Sequence, residues 1–240
     1  MRIFTAEVLV LGKTKLGETD LILTLLSSED RQIRAVAKGA RKPGAKLCGI
    51  SEPFSVFEGK FHVGKSLDIV SEAKALEVYG DIRAGYDRLM AASVALELAA
   101  QATNDGDMIP RLYAMTRTFL DVLCVAPEQC LHDLLTGYLL KVLAMIGYSP
   151  EYELCTKSER LSELFRSTFA EIAEIEIVEA GIVEAETADV GKGTEEDKGS
   201  DTDVRQSARK QIADLRQVMN FTEKHLPARL KSLAYYRKSL

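Results

Sequence analysis

The 240-residue chain has no tryptophan, only three histidines and four cysteines, and their placement excludes several chemistries. Cys48, Cys124, Cys130 and Cys155 are scattered, with no Cys-x-x-Cys pair and no histidine at zinc-ligand spacing. Reduced thiols, mostly filling the core, and no metal or other cofactor are the expectation. His62, His132 and His225 lie far apart, without a nucleophile or paired carboxylates beside them. Gly12-Lys13-Thr14 resembles the end of a phosphate-binding loop, but that motif needs a glycine five residues earlier, where Glu7 stands. Ser207 and Lys210 have the spacing of an acyl-transfer pair in a charged segment that lacks both companion motifs. No catalytic constellation remains, and the sequence predicts a protein that is not an enzyme. Apolar runs long enough to span a bilayer are missing, and Arg2 and Glu7 interrupt the segment where a signal peptide would carry its apolar stretch. A cytoplasmic protein with no membrane partner is expected.

Charge is present but unevenly distributed. Residues 1–80 carry a net charge of +2 and the rest −7, within a total of −5. Inside the positive part, Arg31 to Lys46 (RQIRAVAKGARKPGAK) holds six cations and no acid. Gly39, Pro43 and Gly44 prevent a helix from spreading these cations around a surface. A local cationic loop on an acidic chain points to a polyanion. A solvated face is the bland alternative.

Hydrophobic periodicity divides the chain into an α+β protein of two domains. Residues 3–12, 20–27, 32–38, 53–63 and 66–73 are short β-branched or alternating runs joined by Gly-bearing connections. Five such strands predict a small N-terminal barrel of the OB-fold type over residues 1–80. Gln32 to Lys38 places Ile33, Ala35 and Ala37 on one face and Arg34 and Lys38 on the other. From 81 to 240 the spacing becomes helical, with helices expected over 81–103, 111–125, 128–146, from 158, over 204–226 and from Pro227. Between Glu171 and Asp203 stand twelve acids against Lys192 and Lys198, and 184–203 is expected to be a disordered acidic loop.

A barrel without catalytic groups can hold single-stranded nucleic acid, because cations follow the phosphates and aromatic rings stack on bases. Lys13 and Lys15 in the first connection, Arg34 and Lys38 on the third strand, and Arg41, Lys42 and Lys46 in the next loop are the candidate phosphate contacts. Phe54, Phe57 and Phe61 are the candidate stacking rings, although a strand aromatic more often fills a core. A protein-interaction scaffold built on the helices is the competing function.

The segments GETDLILTLLS (17–27), VAKGARKP (36–43), EPF (52–54), GYLLKVLAMIGYSPE (137–151) and HLPARLKSLAYYRKSL (225–240), in that order, resemble the bacterial recombination mediator family RecO. The resemblance implies an OB-fold that binds single- and double-stranded DNA, a helical C-terminal domain, and a nucleoid-associated role in recombinational repair without enzymatic activity. It implies strand annealing, the partner RecR, contact with the tail of the single-strand binding protein SSB, and indirect action on RecA. Arg34, Lys38, Arg41 and Lys42 match the family's basic strand and loop, while His225, Leu226, Leu230, Lys231, Ser232, Leu233 and Arg237 match the segment that closes its helical domain. The family's four-cysteine zinc element is reduced here to Cys155. Its loss is the expectation.

Overall fold

A computed structural model of the chain describes residues 2–103, 108–174, 200–226 and 228–240, with backbone alone at 200–205. Five strands, β1 (Ile3–Leu16), β2 (Asp20–Ser27), β3 (Gln32–Ala37), β4 (Ser55–His62) and β5 (Asp68–Val78), close a barrel in the order β1-β2-β3-β5-β4. All ladders are antiparallel except β3 with β5. This is the OB-fold plan that the strand spacing predicts.

Alternation divides β1, β2 and β4 between two cores. Val8, Val10, Leu21, Leu23, Leu25, Ile33, Ala35 and Ala37 fill the barrel. Leu9, Leu11, Leu26, Phe54 and Val56 face outward into the core of the helical domain. The outer side of β1, β2 and β4 is therefore a packing surface, and this fixes the barrel against the helices. Gly59 sits between Phe57 and Phe61 in the barrel, where a Cβ would come within 2.7–2.8 Å of their rings. Only glycine fits there.

The helical part comprises α1 (Tyr86–Ala102), α2 (Leu112–Val125), α3 (Leu131–Met145), α4 (Glu159–Arg166), α5 (Ser200–His225) and α6 (Lys231–Ser239), with a one-turn helix at Pro150–Glu153 and helical residues at 169–174. Buried α3 runs through the centre and packs on α1, α2, α4 and α5. Of the expected acidic loop, residues 184–199 lie outside the described residues. Residues 200–203 are helical, since α5 begins at Ser200. Pro227 also lies outside the described residues, and the last helix starts at Lys231 rather than there.

Several helix ends are closed by side chains remote in sequence. Asp30, itself in the left-handed region at φ 61°, accepts the Arg111 and Tyr113 N–H groups at 2.7 and 2.8 Å and so caps α2. Glu97 of α1 accepts the Lys231 N–H at 2.8 Å and the Ser232 N–H at 2.7 Å, and also the Ser232 hydroxyl. The α6 N-terminus has no side-chain cap of its own, so this carboxylate satisfies its orphan donors and faces the positive end of its dipole. Lys141 does the converse at the C-terminus of α4, donating to the Leu164 and Phe165 carbonyls at 2.8 and 2.9 Å. Burial among these groups lowers its pKa to about 8.

Candidate nucleic-acid interface

Arg34 and Lys38 emerge on the solvent side of β3 as the alternation requires, while Ile33, Ala35 and Ala37 are buried. Arg34 pairs across the ladder with Thr24, which pairs in turn with Gly12, giving an outward row over three strands. The loop after β3 folds back on the β1–β2 turn. Gly39, at φ 66°, lets its N–H reach Asp20 at 2.8 Å, and the Arg41 N–H donates to the Thr19 carbonyl at 2.9 Å. The Arg41 guanidinium donates to the carbonyls of Gly17 and Glu18 at 3.0 and 2.8 Å. Asp20 has its pKa held below the usual carboxylate range, first by the Gly39 N–H, then by the Thr19 hydroxyl, with the charges of Lys38 and Lys42 adding to them. The turn and the loop thus form one unit that holds Lys38 and Lys42 beside the Asp20 carboxylate.

The predicted cations fall into three groups. Arg34, Lys38, Lys42 and Lys46 are exposed, and their side chains make no ion pair or hydrogen bond among the described residues. Arg41 is exposed but already occupied as the staple just described. Lys13 and Lys15 separate from Arg34. A bulge between Val10 and Gly12 shifts the phase of β1, so these lysines pair with Leu23 and Leu21 on the ladder face that carries the barrel interior. Lys13 is held in an ion pair by Glu52, while Lys15 remains exposed. Arg31, the first cation of the run, is half-buried with its guanidinium 5.7 Å from the Phe4 ring centre.

The three candidate stacking rings are corrected by their burial. Phe57 and Phe61 are 1% and 0% exposed inside the barrel, and Phe54 is 6% exposed in the core shared with the helices. Phe61 stacks on Phe4 at 5.1 Å. An enclosed ring has no face for a base, so these phenylalanines are packing residues.

The missed features lie where barrel meets helices and at the end of the chain. Arg117 of α2 donates to Glu7 at 3.1 Å, Glu77 at 2.6 Å, the Tyr79 hydroxyl at 2.9 Å and the Tyr113 hydroxyl at 3.2 Å. Tyr79 donates to Asp121 and Tyr113 to Glu7, at 2.7 and 2.6 Å. Burial, and next these carboxylate partners, push both phenol pKa values far up. A groove of about 530 Å³ runs between α1 and the barrel, bordered by Gly12, Lys13, Thr14 and Thr24 on one side and Glu97 and Ala100 on the other. Beyond Glu97, Arg229, Lys231, Arg237 and Lys238 surround the exposed ring of Tyr235 on α6. An acid-free stretch from Arg229 to Leu240 was the available signal, and it reads as a closing helix unless the exposed face is known.

Cys155 is buried with its thiol 3.5 Å from the Leu161 carbonyl, and desolvation pushes its pKa up. His132 and His225 contact the Tyr236 hydroxyl and the Phe221 carbonyl, each at 2.8 Å. Among the described residues no three His, Cys, Asp or Glu side chains gather as a metal site, and no helix is long and apolar enough to cross a membrane.

Known proteins agree with this architecture. The family model described as recombination protein O N terminal matches residues 1–79, and that described as recombination protein O C terminal matches residues 83–178. The DNA repair protein RecO of Gloeobacter violaceus is 33% identical over 150 residues, a match that covers 62% of this chain and 58% of that relative.

Proposed function

The chain belongs to the recombination protein O family, and from that premise we propose that it is a non-enzymatic DNA-binding mediator of recombinational repair. One observation carries this most directly: a closed OB barrel presents Arg34, Lys38 and Lys42 to solvent on a strand and loop held rigid by Arg41 and Asp20. Such an arrangement meets phosphates without first breaking internal ion pairs, and every phosphate it neutralises releases counterions. Single-stranded DNA is the primary ligand and duplex DNA a second. Two complementary strands held near one surface give annealing. The expected protein partners are RecR and the SSB tail, with RecA acted on indirectly, in the cytoplasm at the nucleoid. The protein needs no zinc, so chelators leave its melting temperature unchanged and elemental analysis finds no stoichiometric metal.

The test is a titration of the full chain with labelled single-stranded DNA at two salt concentrations. Phosphate contacts predict affinity that falls steeply with salt. A helical interaction scaffold shows no binding at either.

A further inference from the structure

We propose that the surface of α6 around Tyr235 is a second nucleic-acid contact, and that a single strand lying on the outer face of β3 continues across the groove beside α1 to stack a base on this ring. The inference rests on the DNA-binding role proposed above and assigns the stacking residue that the barrel does not supply.

Tyr235 is 63% exposed and its hydroxyl makes no hydrogen bond among the described residues. Its neighbours in sequence, Leu233 and Tyr236, are fully buried. The helix is thus anchored by one face and offers the ring on the other. Lys238 Nζ lies 5.8 Å from the ring centre. The Arg229 side chain is 77% exposed and makes a long ion pair with Glu223 at 3.9 Å. Arg237 is partly satisfied by Glu223 and Asn220, at 3.2 and 2.9 Å, which leaves Lys231 and Lys238 as the cations without an ion pair among the described residues. A solvent-exposed aromatic ring framed by exposed cations is the composition of a single-strand platform. An acidic peptide would satisfy these charges but leave the ring bare.

The path to this platform is continuous. Arg34 stands opposite Thr24, Thr24 borders the groove, and Glu97 borders it on the far side. Both Glu97 oxygens are engaged by the N-terminus of α6, so the carboxylate on this path is offset by the helix dipole and by three donors. Its neighbour across the cap is Lys231.

Because the chain has no tryptophan, Tyr235→Trp places at the proposed contact a single tryptophan, whose emission is excited apart from that of the remaining tyrosines. Oligothymidylate should quench that emission over the same concentrations that raise the anisotropy of a labelled oligonucleotide. Tyr235→Ala should weaken binding of a long oligothymidylate roughly tenfold, within the range for loss of one stacked base, while Tyr235→Phe retains it. Urea unfolding of each variant verifies that the fold is kept. The inference is overturned if oligothymidylate binds with a steep salt dependence yet leaves the tryptophan emission unquenched and the Tyr235→Ala protein at wild-type affinity; the barrel site then stands alone. It is equally overturned, in favour of an acidic protein partner, if polyglutamate quenches the tryptophan and oligothymidylate does not. Absence of any salt-dependent binding by the wild-type chain overturns the DNA-binding role itself.

Discussion

The outer face of β3 and the seam between the barrel and α2 are both charged, yet they differ in what the fold has done with the charge. At the seam Arg117 is enclosed by Glu7, Glu77 and two tyrosine hydroxyls, and each of its three guanidinium nitrogens is engaged. On β3 and its loop, Arg34, Lys38, Lys42 and Lys46 point into solvent, and Asp20, the carboxylate on which Lys38 and Lys42 act, is taken up by Gly39 and Thr19. A cation locked among partners contributes to stability and cannot respond to a ligand. A cation left in water contributes little to the fold and remains available. Counting positive charges along the sequence mixes these classes, as Arg41 shows inside the basic run itself.

The largest effect that would break this contrast belongs to the seam. Arg117→Ala leaves two half-exposed carboxylates and two phenols without their shared partner, and urea denaturation should show a loss of about 2 kcal/mol. A loss under about 0.5 kcal/mol, the size expected at an ordinary surface position, would mean that the network is incidental.

Lys141 sharpens the same point through pH. Its folded-state pKa is lowered to about 8 from an ordinary value of 10.5, so between these values the unfolded chain binds more protons than the folded one. Its contribution to stability therefore rises as pH rises through that window, by at most about 1.4 kcal/mol per pH unit. Lys141→Met should abolish this rise, as measured by urea denaturation from neutral pH upward. Equal slopes in the two proteins would contradict the burial of the ammonium group.

Smaller effects are expected at the caps and the staple. Glu97→Gln keeps the shape of the α6 cap but removes its charge, and should cost about 1 kcal/mol, read from the urea midpoint. Arg41→Ala should cost about 1 kcal/mol through two lost backbone hydrogen bonds. Full retention of stability in this variant would return Arg41 to the free cations.

These positions also mark how far the sequence could be read. The barrel was legible because alternation is local: Ile33, Ala35 and Ala37 against Arg34 and Lys38 determine a strand and its two faces within seven residues. The exposed cations of β3 follow from the same pattern. The phase of Lys13 and Lys15 was not legible, since a one-residue bulge at Leu11 moves them to the other face without a distinctive sequence signal. Burial of Phe54, Phe57 and Phe61 depends on closure of the barrel and on the helices that cover it. Glu97 meets Ser232 across 135 residues and Arg117 meets Glu7 across 110, separations at which no periodicity carries information. Tyr235 was hidden for the opposite reason, because its helix is amphipathic and only the packed structure shows which face is left open.

The central claim, that the free cations of β3 and its loop hold nucleic acid, is tested most directly by Arg34→Ala, Lys38→Ala and Lys42→Ala combined in one full-length protein. Its affinity for single-stranded DNA is to be measured against salt beside the wild type. Urea stability should be unchanged within about 0.5 kcal/mol per site, with weaker binding and a log–log salt slope shallower by about 2, or ~0.7 for each lost phosphate contact. A folded triple variant with the wild-type slope and affinity would contradict it.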